Sequence, residues 1–115
     1  MAQTWNYTQK STDNFRNNQI RFGNAVDIQG DYAIVGCYED NYDENNANPL
    51  GQSGSVSVFK RNLSGVWIFH QKLVAPSRQA GAYFGWSLAL DSTRIAVGAM
   101  QHGTGSSLGL GAVYT

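Results

Sequence analysis

Phe22-Gly23-Asn24-Ala25-Val26-Asp27-Ile28-Gln29 returns in altered form 62 residues later as Phe84-Gly85-Trp86-Ser87-Leu88-Ala89-Leu90-Asp91. Outward from this stretch, Val35-Gly36 returns as Val97-Gly98 at the same spacing. A fixed spacing between similar segments is the sequence signature of a repeat architecture. The chain therefore contains two copies of one structural unit.

The repeat extends to both ends of the chain. Gly54-Ser55-Val56-Ser57-Val58 corresponds to Gly111-Ala112-Val113-Tyr114-Thr115 at a spacing of 57, so the second copy has a loop that is five residues shorter. Near the N-terminus, three residues recur 62 positions later: Trp5 corresponds to Trp67, Gln9 to Gln71 and Lys10 to Lys72.

Each copy divides into strand-like segments separated by turn residues. The segment 22–29 alternates large and small residues, and 84–90 repeats it with Phe84, Trp86 and Leu88 on one core face. The segments 32–37 and 95–100 are apolar without alternation, as in strands covered on both faces. The remaining predicted strands are 55–59, 67–72, 112–115 and, by similarity to 67–72, residues 5–10.

The outer strand 67–72 alternates as well. This alternation places Trp67, Phe69 and Gln71 on one side and Ile68, His70 and Lys72 on the other. Such a pattern indicates a strand that is half in solvent.

Composition narrows the class of protein. The 115 residues fit one domain, and the formal net charge of +0 argues against a nucleic-acid partner. No apolar run approaches the roughly 18 residues that membrane insertion requires. The lone Cys37 lies in an apolar run, where we expect it to act as a small buried hydrophobe. We find no nucleophile motif or paired catalytic groups, so we expect no catalytic residues and no enzymatic activity.

The repeated motifs resemble a known family. Phe22-Gly23 followed by Gly36-Cys37, and Phe84-Gly85 followed by Gly98-Ala99, resemble FG-GAP repeats, the blades of integrin-type β-propellers. The Pro that follows Gly-Ala in the family name is replaced by Tyr38 and Met100 here. The resemblance implies an all-β fold, a binding role, and an extracellular or cell-surface location.

The order of the strands predicts how blades divide along the chain. We expect a single unit over residues 1–115, with blade 1 at 22–72, blade 2 at 84–115 without its outer strand, and residues 5–10 as a swapped outer strand. These eight strands would make two four-stranded antiparallel blades, circularly permuted by one strand. Two blades cannot close a propeller, which takes roughly 4 to 8.

Self-assembly would solve the closure problem. In a head-to-tail trimer or tetramer, residues 5–10 of one copy would complete the last blade of the next, giving six or eight blades. The predicted interface residues are Trp5, Tyr7, Gln9, Ala112, Val113 and Tyr114. The alternative is that the chain is a fragment or accessory domain of a larger extracellular propeller protein or enzyme.

The acidic loop after the second strand is a candidate metal site. Glu39, Asn41, Asp43 and Asn45 alternate along it, and Asp40 offers a carboxylate in a shifted frame. Calcium prefers six to eight oxygen ligands of these types. The resemblance implies calcium at the corresponding family loop, although this loop lacks the family's glycine, so Ca²⁺ is a possible ligand and no other cofactor is expected.

Aromatic side chains in loops are the other candidate binding residues. Tyr38, Tyr42 and Tyr83 lie in or beside loops, where rings can stack on sugars or anchor protein partners. We therefore predict a non-enzymatic interaction module with a protein or glycan ligand. The alternative within this class is a multivalent carbohydrate-binding, lectin-like ring.

Overall fold

The computed structural model describes residues 4–15, 20–101 and 111–115, and in them the chain is all-β. Four strands form the first antiparallel sheet, in the order β1 (Val26–Gln29), β2 (Tyr32–Cys37), β3 (Ser55–Arg61) and β4 (Trp67–Leu73). Three strands form the second, in the order β5 (Phe84–Leu90), β6 (Ile95–Ala99) and β7 (Ala112–Tyr114). The described residues include no helix that could cross a membrane.

One hydrophobic core joins the two sheets. Ile34 of β2 and Val56 of β3 are fully buried, and they pack with Phe84 and Val97 of the second sheet. Side chains from successive positions of a strand point to opposite faces, so this core uses one face of each sheet. The other face of each sheet lies outside the core.

The strand predictions hold at most positions. β2 begins and ends where predicted and is an interior strand, and the second sheet has three strands, as expected for a blade without its outer strand. The predicted first strand is wrong at its start, because β1 begins at Val26 rather than at Phe22. Gly23 has a φ of 95°, and Asn24 N donates to Arg21 O, so residues 21–24 form a turn instead of strand.

The predicted strand at residues 5–10 is not formed, so the described residues contain seven strands rather than eight. Trp5 is 86% exposed and Tyr7 is 81% exposed. A strand needs a neighbour to satisfy its main-chain groups, and in the described chain no strand pairs with this segment. The Gln9 side chain bonds to the edge of β4.

Two predicted face assignments are wrong because the strands are irregular there. Trp86 is 41% exposed, because it lies within the irregularity of β5 between Phe84 and Ser87. Lys72 is buried on the same face as Phe69, because β3 and β4 shift register between Val58 and Phe59. This second irregularity inserts one residue on β4, so the alternation of β4 reverses beyond it.

The segments before β1 and β5 bury residues at equivalent positions of the repeat. Ala75 and Ala82 are buried before β5, and their counterparts 62 residues earlier, Asp13 and Ile20, are buried before β1. In the N-terminal segment, the ring of Phe15 packs edge-on against Phe69 of β4 with 5.8 Å between centroids. The segment therefore covers part of the outward face of the first sheet.

Candidate functional site

The junction between the two sheets is built by main-chain contact at glycines. Gly54 and Phe84 form a single parallel bridge, and Phe84 N donates to Ser53 O at 3.1 Å. A side chain on Gly36 would overlap the carbonyl oxygen of Gly85, and one on Gly54 would overlap the main chain of Phe84. The Phe-Gly pair of one repeat therefore occupies a cleft that only glycines of the preceding repeat leave open.

Two polar side chains, one in the turn before β1 and one in β1, fix this junction. Asn24 Nδ2 donates to Gly85 O at 3.2 Å and to Trp86 O at 3.1 Å. Asp27 Oδ2 accepts a hydrogen bond from Leu90 N at 2.7 Å. These bonds satisfy main-chain groups at the start and end of β5 that its own sheet leaves free.

The predicted interface residues lie at two separate places. Ala112, Val113 and Tyr114 form β7, which pairs with β6 on one side and has no strand on the other in the described chain. The Tyr114 ring packs edge-on against Phe84 at 5.4 Å, and burial raises the pKa of Tyr114. Gln9 lies instead against Trp67 of the first sheet. One chain does not bring its two predicted interface segments together.

Among the predicted calcium ligands, the carboxylate of Asp43 is held by the loop itself. Asp43 Oδ1 accepts from the amides of Asn45 and Ala47, and its Oδ2 accepts from Asn48 Nδ2 at 2.7 Å. The hydrogen bond from Asn48 is the main reason that the pKa of Asp43 is lowered.

The side chains of Glu39 and Asn41 bond to residues outside the loop. Glu39 Oε2 forms an ion pair with Arg21 Nε at 3.0 Å, and Asn41 Oδ1 accepts from Gln52 N at 2.7 Å. Among the described residues, no three His, Cys, Asp or Glu side chains converge as metal ligands. Calcium binding at this loop stays a prediction.

A buried ion pair escaped the sequence analysis. Lys72 Nζ lies 2.7 Å from Asp40 Oδ2, both side chains are almost wholly buried, and the contact does not have hydrogen-bond alignment. Asp40 also accepts from Ser55 Oγ at 2.7 Å and from Tyr42 N at 3.0 Å. Next to this pair, burial and the negative charge of Asp40 raise the pKa of the Cys37 thiol to about 12. The spacing of Lys72 from Asp40 gives no local signal for the pair.

Two of the three predicted ligand-binding tyrosines meet in one aromatic cluster. Tyr38 contacts Tyr83 at 5.2 Å and Trp86 at 4.7 Å between centroids, and Tyr83 and Trp86 are nearly parallel at 6.2 Å. Tyr42 lies in the acidic loop outside this cluster. The cluster spans the junction, because Tyr38 follows β2 of the first sheet and the other two rings belong to the second repeat.

A comparison with known families also finds two repeats in the chain. The FG-GAP repeat family matches the chain twice, at residues 5–59 and at residues 67–115. The chain belongs to the FG-GAP repeat family. No curated protein and no solved structure matches it.

The two FG-GAP matches begin at equivalent residues, Trp5 and Trp67. In the second FG-GAP repeat, the segment that follows Trp67 is β4, the outer strand of the first sheet. In the first repeat, the segment that follows Trp5 has no sheet to join in the described chain. The second FG-GAP repeat therefore begins with the outer strand of the preceding sheet, whereas the first begins with a segment that forms no strand in the described chain.

Proposed function

We propose that this FG-GAP chain is a non-enzymatic interaction module of β-propeller type that assembles head to tail with copies of itself. The ring would have six or eight blades, made from three or four chains, within the roughly 4 to 8 blades with which propellers close. A head-to-tail contact uses two different surfaces and closes when the rotation fits a ring.

The observation that carries this proposal is the mismatch between the two sheets. In the described chain the first sheet has an outer strand, β4, and the second has no strand beyond β7. Residues 5–10 carry the Trp, Gln and Lys of β4 at the repeat spacing. A strand edge without a neighbour favours pairing with another chain. Residues 5–10 of a second copy match the strand type that β7 lacks.

Light scattering on the intact chain tests the assembly. We expect a solution mass three or four times the 12.6 kDa of the chain. A chain without residues 1–10 should lose this mass while its far-UV circular dichroism is unchanged, because the strands of both sheets are retained. A wild-type chain that is monomeric up to millimolar concentration would contradict the proposal and favour a piece of a longer propeller.

The aromatic cluster supports a second candidate function, a multivalent glycan-binding ring. Tyr38, Tyr83 and Trp86 are partly accessible rings at the junction, and sugars stack on such rings. A glycan array with the wild type and with Trp86→Ala tests it. Binding that the substitution abolishes, together with agglutination by the ring, would support a lectin-like role. Binding that the Trp86→Ala variant retains would argue against the cluster as the site.

A further inference from the structure

The outward face of the second sheet contains an open cavity of about 520 Å³. Its lining comes from β5, β6, β7 and the residues around them: Trp86, Ser87, Gly98, Ala99, Met100, Gly111, Ala112 and Val113. Both glycines of the repeat motif, Gly98 and Gly111, are part of this lining.

The equivalent place in the first repeat is filled. The counterparts of the two lining glycines are Gly36 and Gly54, and these contact the main chain of Phe84-Gly85. Gly85 in turn lies against the main-chain oxygen of Ser55, the counterpart of the lining residue Ala112. The chain thus shows within itself which group fits a cavity of this shape, namely a Phe-Gly turn followed by a strand.

The chain also carries a free copy of that group. Gly23 has the same φ of 95° as Gly85, and Arg21 and Tyr83, which precede the two Phe-Gly pairs, have φ of 57° and 58°, so the two turns share these main-chain angles. The space beside Gly23 is open, whereas Gly85 is enclosed by the first sheet. In the cavity, Gly111 has a φ of 84° and its docked counterpart Gly54 has 87°, so both surfaces are preformed.

Side-chain exposure follows the same pattern on both surfaces. Val113 is 72% exposed at the cavity, whereas its counterpart Val56 is 0% exposed at the internal junction. On the other surface Val26 is 67% exposed and Ile28 is 60% exposed, whereas their counterparts Leu88 and Leu90 pack against the core. Residues that are covered where the repeats meet are thus uncovered at the two ends of the chain.

We infer that the cavity beside Gly98 and Gly111 of one copy receives the Phe22-Gly23 turn and the outward face of β1 of a second copy. This docking rests on the proposed head-to-tail assembly and names the surfaces that it uses. It is separate from the pairing of residues 5–10 with β7, because it requires no residue before Phe22.

The docking between copies lacks part of the internal junction. Asn24 and Asp27 hold β5 inside the chain through three hydrogen bonds, and their counterparts in the second repeat are Trp86 and Ala89. Trp86 lines the cavity and can cover the incoming turn, but Ala89 has no group to replace the carboxylate. The contact between copies should therefore be weaker than the internal one, and the assembly should dissociate on dilution.

Two variants, each with one of the two docking surfaces disrupted, test the docking. Val113→Asp alters the cavity and leaves the Phe22-Gly23 surface intact, and Ile28→Asp does the reverse. Each variant alone should be a monomer at concentrations where the wild type is assembled. An equimolar mixture should form a 1:1 dimer, because one intact surface of each kind is present. Leu63→Asp, which changes an exposed leucine of the β3–β4 turn, is the matched control and should assemble like the wild type.

The outcomes separate this inference from the proposed assembly. If both variants assemble like the wild type, the docking surfaces are wrong and self-assembly stands. If each variant is a folded monomer by circular dichroism but the mixture gives no dimer, the head-to-tail arrangement of these surfaces is wrong. A wild-type monomer at millimolar concentration overturns both. If the chain without residues 1–10 assembles while Val113→Asp does not, the docking is right and the strand donation is wrong.

Discussion

The side-chain amide of Gln9 bonds both main-chain groups of Trp67, with Oε1 accepting from Trp67 N at 2.9 Å and Nε2 donating to Trp67 O at 2.8 Å. Trp67 begins β4, the edge strand of the first sheet. A strand edge presents N–H and C=O groups to which another chain can pair. Gln9 satisfies these groups in the way that a neighbouring strand would, and so covers the start of this edge.

In the unassembled chain, replacement of Gln9 by Ala should therefore expose the Trp67 amide. We expect faster hydrogen exchange at Trp67 N, with a loss of stability of about 1 kcal/mol or less, because an ordinary hydrogen bond contributes about that amount. Gln29→Ala, at an exposed position of β1, is the matched control and should leave the exchange unchanged. Unaltered exchange in the Gln9→Ala variant would show that Gln9 does not protect the edge in solution.

Removing the charge of Lys72 should lower the free energy of unfolding more than removing the charge of an exposed lysine. Lys72→Met leaves the Asp40 carboxylate buried without its cation, which typically costs about 3–5 kcal/mol. Lys60→Met, where the ammonium is exposed and lies over the Tyr32 ring at 5.5 Å, should cost about 1 kcal/mol or less.

Urea unfolding of both variants measures the difference. The double variant Lys72→Met, Asp40→Asn should recover part of the loss, because it removes the unpaired buried charge. If Lys72→Met and Lys60→Met have equal stabilities, the pair is not buried in solution.

Cys37 should make the protein sensitive to alkaline pH. Because burial and Asp40 raise its pKa from 9.0 to about 12, the unfolded chain loses the thiol proton at a lower pH than the folded chain does. The folded state then binds more protons than the unfolded state between these values, so stability falls as pH rises from about 9 to about 12. The expected slope is about 1.4 kcal/mol per pH unit.

Cys37→Ala should remove this contribution, and the second repeat carries Ala99 at the equivalent buried position. The test compares the free energy of unfolding of the two proteins from pH 8 to pH 11. Parallel curves would mean that the thiol is accessible to solvent in the folded protein. Slow reaction of the native thiol with an aromatic disulfide reagent at pH 8 would agree with burial.

The acidic loop should be ordered without calcium. Both carboxylate oxygens of Asp43 accept hydrogen bonds from the loop itself. If the predicted site binds Ca²⁺, millimolar calcium should raise the melting temperature, because a ligand that binds only the folded state stabilises it, and magnesium or a chelator should leave it unchanged. A rise specific to calcium, lost in Asp43→Asn, would establish the metal site. Because the pKa of Asp43 is lowered in the folded state, its contribution to stability is present near neutral pH. The contribution is lost as pH falls through the lowered pKa of the folded state.

The sequence predicted the parts of the fold that repeat and missed the parts that a bulge changes. The spacings of 62 and 57 residues identified the glycines that recur, and the structure brings Gly36, Gly54 and Gly85 together where the sheets meet, because a close main-chain approach needs glycine. Alternation failed at Trp86, which lies within an irregularity of β5, and at Lys72, where a register shift reverses which face the side chain occupies. The ion pair of Lys72 with Asp40 depends on that shift, so no pattern in the sequence could have predicted it.

Gly36 and Gly98 occupy the same motif position in the two repeats but have different neighbours. A Cβ at Gly36 would overlap the carbonyl oxygen of Gly85, which belongs to the main chain of the other sheet. A Cβ at Gly98 would overlap Ser87 Oγ, the end of an exposed side chain that can rotate away. Gly36→Ala should therefore cost about 3 kcal/mol, the upper end for overpacking, and Gly98→Ala about 1 kcal/mol.

Thermal unfolding of the two variants measures this difference, with Gly51→Ala as the control, because the space around Gly51 is open. That control should be neutral or slightly stabilising, as for a Gly→Ala change in a compatible conformation. Adding Ser87→Ala should restore the stability of Gly98→Ala, and no side-chain change near Gly36 should rescue Gly36→Ala. Equal losses for Gly36→Ala and Gly98→Ala would mean that the sheets do not meet through the main chain of Gly85.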